Sequence, residues 1–163
     1  MSTSRILPQD THTVSTHLLL PPHCNALGTA FGGQLMAWID ICAAVSARRF
    51  AKGSVVTASM DQLDFECPVR LGDILILMGQ VNWSGRTSME VGVRAEVEDP
   101  RDGSRRHVAT AYLTFVHVDE HGRPTPVPTL APDNESDQRR FDAARIRRED
   151  RLRTAKRLQA QTT

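Results

Sequence analysis

Only three cysteines occur in the 163 residues: Cys24, Cys42 and Cys67. An odd, sparse count fits neither a disulfide framework nor a paired zinc pattern, and it suits a reducing compartment. Long apolar runs are missing as well. The opening MSTSRILPQDTHTVST has no apolar stretch of the secretory kind, and nothing further on is long enough to span a bilayer. The expectation is a cytoplasmic protein without membrane contact. Charge of one sign is also lacking. Against 19 Asp and Glu stand 20 Lys and Arg, so the formal net charge of +1 gives no argument for nucleic acid as a partner.

The remaining composition is that of a globular chain, with 40% apolar and 24% charged residues. Its length suits one domain with its own core. From residue 133 to the end, nine Lys/Arg face six Asp/Glu, which leaves eleven against thirteen before that point. Residues 1–132 therefore read as the folded domain and 133–163 as a charged C-terminal helix or tail. Phe141, Ala144, Leu152 and Ala155 give that segment a weak helical stripe. Its interspersed acids and near-absence of aromatics argue against a nucleic-acid role for its arginines.

Alternation of apolar and polar residues predicts a strand over residues 14–20, stopped by Pro21-Pro22. A helix over residues 33–50 follows, apolar around most of its circumference, which predicts burial on several sides. Arg48, Arg49 and Lys52 complement its C-terminal dipole, and Gly53 is the expected terminator. Four more strands follow, over residues 55–65, 74–83, 88–98 and 107–118, joined by turns rich in Gly, Pro and Asp. In the segment 88–98, Met89, Val91, Val93, Ala95 and Val97 share one face. The order predicts an α+β domain, a long central helix wrapped by an antiparallel sheet of five or more strands. A sheet that covers one helix leaves an edge and an apolar surface, which a second copy would cover.

Asp40 is the residue that asks for a reason. It stands among Met36, Ile39, Ala43 and Ala44, where burial would disfavour the charged form. Seven residues earlier, Phe31-Gly32-Gly33 opens the helix with free backbone N–H donors. Asp40 can act as a general base towards water, or attack a carbonyl directly to give a mixed anhydride. The N–H of Gly33, helped by the helix dipole, can stabilise an oxyanion, and glycine lets a bulky acyl group approach the backbone. Each feature also has a structural explanation: a paired carboxylate, and a close helix–strand contact. Asn25, fifteen residues before Asp40, can orient water or simply form an Asx turn. The hairpin turn Gly85-Arg86-Thr87-Ser88 is either a plain turn or a phosphate-binding one. His117-Val118-Asp119-Glu120-His121 has the letters of an inverted zinc-protease motif. That motif needs a helix, and here a strand runs into a turn, so no metal is expected.

The ordered series Asn25, Gly28, Phe31-Gly32-Gly33-Gln34-Leu35-Met36-Ala37-Trp38-Ile39-Asp40, Val56-Thr57, Asp64-Phe65, Pro68-Val69, Gly72-Asp73 and Gly85-Arg86-Thr87-Ser88, closing with 111–119, resembles the hotdog-fold acyl-CoA thioesterases. It is most similar to the acyl-CoA hydrolase branch with the YciA-type and brain-type enzymes. The resemblance spans residues 14–128 and leaves out the charged tail. It implies a hotdog fold and hydrolysis of acyl-CoA to a carboxylic acid and coenzyme A, with no metal or redox cofactor. Asp40, Asn25 and Gly33 would be catalytic, with Asn25 and Asp40 donated by different protomers. Phe31, Gly32, Gly85, Arg86, Thr87 and Ser88 would bind the acyl group and coenzyme A. A homodimer is the minimum unit and a trimer of dimers the expected assembly. A hotdog hydratase or dehydratase is one rival, but it needs a His paired with an acid, and no histidine lies between Asn25 and Arg106. A non-enzymatic acyl-CoA sensor is the other, which would dispense with the catalytic carboxylate.

Overall fold

Apolar alternation, sustained over long strands, drives most of the chain into one sheet. In the computed structural model, which describes residues 5–161, the elements are β1 (Arg5–Ile6), β2 (Thr13–Leu18), α1 (Gly32–Ala51), β3 (Ser54–Met60), β4 (Ile74–Ser84), β5 (Ser88–Glu98), β6 (Arg105–Val118), β7 (Thr129–Leu130) and α2 (Glu135–Gln161). Strands β2-β4-β5-β6-β3 form a five-stranded antiparallel sheet in that order, and β1 pairs with β7 in a small parallel ladder. The predicted α+β architecture is present: a long helix on an antiparallel sheet.

The inner face of β5, Met89 to Val97 in alternation, is at most 1% exposed. Against it α1 buries Leu35, Ile39, Cys42, Ala43, Ala47 and Phe50. Burying a large side chain of this kind contributes about 1.5–3 kcal/mol. Phe50→Ala would cost about 3–5 kcal/mol, because a fully enclosed ring leaves a cavity. Helix and sheet approach closely at Gly79 of β4, where a Cβ would lie 3.0 Å from Ser46 Oγ and 3.2 Å from Cys42 Sγ.

Several boundaries differ from expectation. Lys52, at φ 53°, takes the left-handed position that ends α1, with its N–H bonded to the Arg48 carbonyl at 2.8 Å. Gly53 is needed for its small size instead, since a Cβ there would collide with the His117 ring. Strand β3 ends at Met60 rather than near residue 65. Beyond it Asp61 N–H and Glu66 N–H bond singly to the Tyr112 and Val108 carbonyls, so the chain follows β6 without a ladder. The expected burial of α1 on several sides is incomplete: Met36, Ile41 and Val45 are exposed in the protomer.

Residues 135–161 form a helix whose first half docks on the outer face of the sheet. Asn134 caps it, accepting the Asp137 N–H at 2.9 Å, and Ala144 is fully buried. Beneath α2 lies Glu90, 1% exposed. Arg147 binds it through two bonds of 2.7 and 3.2 Å and lies 3.6 Å over the Tyr112 ring. Arg151 reaches Asp61 at 2.7 Å. Among the described residues no helix is long and apolar enough to cross a membrane.

Candidate active site

The N-terminus of α1 is built by residues 21–35. Gln34 and Leu35 make the first helical bonds, both to the Phe31 carbonyl, so the N–H groups of Gly32 and Gly33 emerge from the helix end. A Cβ on Gly33 would lie 2.5 Å from Phe31 Cε1, and one on Gly32 would lie 3.8 Å from Phe65 Cε2. A side chain at position 33 would therefore displace the exposed Phe31 ring, whereas one at position 32 would meet the exposed Phe65 ring in ordinary contact.

Asp40 lies two turns on, about 10 Å along the axis at 1.5 Å per residue. Its neighbours Ile39 and Ala43 face the core, whereas Ala37 and Ile41 face outwards. Asp40 sits on the boundary between these faces and is half-buried, so the apolar enclosure expected of it is present on one side only. The Thr57 hydroxyl of β3 donates to Asp40 Oδ1 at 2.8 Å. Beside it the β3–β6 register slips between Thr57 and Ser59. Such bulges re-aim side chains and end regular pairing.

Sequence reasoning noted Val56-Thr57 only as part of a pattern and missed the hydroxyl's role. Seventeen residues separate Thr57 from Asp40, and no local spacing signals the pair; only the turn of β3 back along α1 joins them.

Asn25 is not brought to Asp40 within the protomer. Its Oδ1 accepts the N–H groups of Leu27 and Thr29 at 2.9 and 3.2 Å, and its Nδ2 bonds Thr29 Oγ1 at 2.9 Å. These bonds shape the loop as an Asx turn and leave the residue exposed. The loop is fastened to α1 by an aromatic stack. His17 of β2 stacks on Trp38 with centroids 4.4 Å apart, and His23 meets the same ring edge-on at 4.9 Å. Burial, and secondarily the charge of His23, holds the His17 imidazole below its ordinary range.

The turn Gly85-Arg86-Thr87-Ser88 lies at the other end of the sheet, where α1 ends. Ser88 pairs with Val116, next to the Val118–Ser54 pair at the start of β3. The carbonyls of Arg86 and Thr87 each accept a bond of 3.0 Å, from Val127 and His117. The Arg86 side chain is exposed, and among the described residues no carboxylate pairs with it. A twenty-residue helix is about 30 Å long, so this turn and the Gly33 end of the same protomer are well separated.

A half-exposed carboxylate held by a hydroxyl can activate water, and free N–H groups at a helix end can stabilise an oxyanion; in one protomer the two lie about 10 Å apart along α1. Comparisons with known proteins bear on that chemistry. The thioesterase superfamily model matches residues 27–104. The acyl-CoA thioester hydrolase YkhA of Bacillus subtilis is 40% identical over 129 residues, which is 79% of this chain and 75% of YkhA. Longer relatives match too: the chain spans 26% of the acetyl-coenzyme A thioesterase of Rattus norvegicus, at 39% identity. Among solved structures, an apo hexameric acyl-CoA thioesterase superposes with a TM-score of 0.89 at 42% identity, covering 93% of this chain and 97% of that one. The acyl-CoA hydrolase of Staphylococcus aureus, solved with butyryl coenzyme A, coenzyme A and coenzyme A disulfide, gives 0.87 at 35% identity, covering 98% and 96%. Alanine variants of that protein have also been solved, at an asparagine, at an aspartate fifteen residues later and at a threonine seventeen residues after that. Asn25, Asp40 and Thr57 have the same spacing.

Proposed function

Because the chain belongs to the acyl-CoA hydrolase family of the thioesterase superfamily, we propose that it hydrolyses acyl-CoA thioesters to carboxylic acids and coenzyme A, with Asp40 at the centre of the reaction. The hydrogen bond from Thr57 to Asp40 carries the reading. It orients one carboxylate oxygen and leaves the other for a water molecule or for the thioester carbon. In the first case Asp40 takes the proton of the attacking water; in the second it forms a mixed anhydride that water then opens. Both routes place negative charge on the carbonyl oxygen; Gly33 of the same helix is about 10 Å from Asp40, so the N–H and helix dipole that stabilise the charge are those of α1 in the partner subunit. Collapse expels coenzyme A as a thiolate, which takes up a proton.

The site is completed by a second protomer. Support comes from Asn25, whose amide is turned into its own loop and away from Asp40, and from β3, an edge strand beside the uncovered Met36 and Ile41 of α1. Antiparallel pairing through that edge reverses the partner. The end of the sheet that holds the partner's Gly85–Ser88 turn is then carried towards the Gly33 end of the first protomer, where Arg86 and the turn N–H groups can meet the phosphates of coenzyme A. Phe31 and Phe65 flank the acyl group. Dimers of this kind would assemble into hexamers, the state of the apo thioesterase relative. A cytoplasmic setting agrees with a coenzyme A substrate and with three cysteines that form no disulfide.

The decisive experiment is thiol release across a series of acyl-CoA chain lengths, with wild type beside Asp40→Asn. Turnover should collapse in the variant while coenzyme A binding persists. Undiminished hydrolysis by Asp40→Asn would overturn the assignment.

A further inference from the structure

The outer face of the sheet carries a cavity beneath α2. Gly79 of β4 faces α1, so Met78 and Gln80 point to the opposite side, beneath α2. Between that face and the first half of α2 lies a cavity of about 500 Å³. Ligand pockets fall in the range of about 300–1,000 Å³. Arg94 from β5 and Arg139, Arg140 and Arg147 from α2 line it, and no Asp or Glu does. Glu96, Asp137 and Glu90 pair with Arg94, Arg140 and Arg147 at 2.7, 3.0 and 2.7 Å. These acids stand off the lining, and each guanidinium keeps further N–H groups. Arg139 has no carboxylate partner among the described residues.

Asn82 adds an unpaired amide to the cavity wall. It sits where the β4–β5 register slips between Val81 and Trp83, is 5% exposed, and opens onto the cavity. Among the described residues its amide has no hydrogen-bond partner. The amide is open to the cavity rather than sealed in the core, so a molecule bound there can reach it. Gly92 opposite makes room for it: a Cβ there would lie 2.5 Å from Asn82 Nδ2. A donor amide facing several guanidinium forks is a receptor for tetrahedral oxyanions.

We propose that this cavity binds a small phosphate-bearing molecule, held by Arg94, Arg139, Arg147 and the Asn82 amide. One such ligand would bridge α2 to the sheet, since its contacts come from both. The cavity lies across the sheet from Asp40, so the proposal stands or falls apart from the thioesterase reading.

Calorimetric titration of the full-length protein in its native assembly tests it, with inorganic pyrophosphate and adenosine 5′-monophosphate as separate probes. Saturable binding of at least one probe is expected, and the preferred probe tells an inorganic phosphate from a phosphorylated nucleoside. Arg139→Gln, at an exposed position that leaves the fold alone, should weaken binding about tenfold, the loss of one charge-assisted contact. Asn82→Ala should weaken it severalfold, and amide exchange over residues 135–147 should slow when the probe is bound. Arg86→Gln should leave binding unchanged. The proposal is overturned if neither probe binds saturably, if both cavity variants bind as the wild type does, or if binding follows Arg86 instead.

Discussion

Replacing Thr57 by valine removes a hydroxyl and keeps the shape, so it isolates one hydrogen bond. That bond, 2.8 Å from Thr57 Oγ1 to Asp40 Oδ1, has a carboxylate as acceptor. Bonds to charged groups are worth about 1.5–3 kcal/mol, and the exposure of Thr57 argues for the lower end. Lost from the transition state, about 1.5 kcal/mol is about a tenfold fall in rate. Stability should hardly change, because a solvent-exposed hydroxyl on an edge strand is replaced by a residue with good strand propensity. The expected result is therefore a kcat for thiol release about tenfold below wild type, with KM and Tm close to it. Thr57→Ser, which restores the donor, should recover most of the rate. If Thr57→Val keeps more than half of the wild-type kcat, or if serine fails to rescue a folded protein, the bond does not orient Asp40 for the reaction.

Asp40→Asn keeps the shape of the carboxyl group but removes its charge, and kcat should fall by about 100-fold or more, the scale of a lost acid–base group, while calorimetry still detects coenzyme A binding. Gly33→Ala should separate stability from activity. The added methyl at 2.5 Å pushes aside an exposed Phe31 ring, so Tm should hold or rise, as alanine favours a helix by up to about 1 kcal/mol, whereas thiol release falls. Acid should loosen the loop that carries Asn25. His17 titrates below its ordinary 6.5 when folded, so the folded state binds fewer protons than the unfolded chain, and stability is full above that pH and declines as pH falls through the lowered value. Thermal melts between pH 8 and pH 5, followed by tryptophan fluorescence of Trp38 and Trp83 together, should show that decline, and His17→Gln should flatten it. Arg147→Ala leaves the buried Glu90 with only the longer Arg151 contact at 3.7 Å and should cost about 3 kcal/mol or less by chemical denaturation, whereas joint replacement of Glu90 and Arg147 by methionine should restore most of the loss.

What was legible in the sequence follows the range of the interactions involved. The alternation over residues 88–98 specified β5 and its buried face, because side-chain direction in a strand is a local property. Glycine was harder to interpret: Gly53 looked like a helix terminator, but its small size serves contact with His117, a residue far along the chain. The charged C-terminal stripe predicted a helix or tail yet said nothing of where it would lie. Its anchors, Glu90 and Asp61, are 57 and 90 residues away from Arg147 and Arg151. Thr57 escaped notice for the same reason. Asn25 was legible as a choice between two roles, and within one protomer the Asx turn is the role its bonds fulfil.

The half-exposure of Asp40 and the exposed apolar face beside it have one explanation. Electrostatic stabilisation of an oxyanion is strongest where water is excluded, and a single protomer leaves both Asp40 and the Gly33 N–H open. The surface around them is not polar: Met36, Ile41 and Val56 are 43%, 60% and 49% exposed. Covering such area contributes about 25 cal/mol per Å², so a second chain seated there gains stability from the same contact that dries the site. The bulge at Thr57 turns its hydroxyl to Asp40 at the edge where that chain would pair. Position 40 can therefore hold a carboxylate without burying it during folding of the protomer. In the proposed dimer its desolvation would be deferred to assembly, where the partner's Asn25 and the substrate would supply the hydrogen bonds that a buried Asp40 requires.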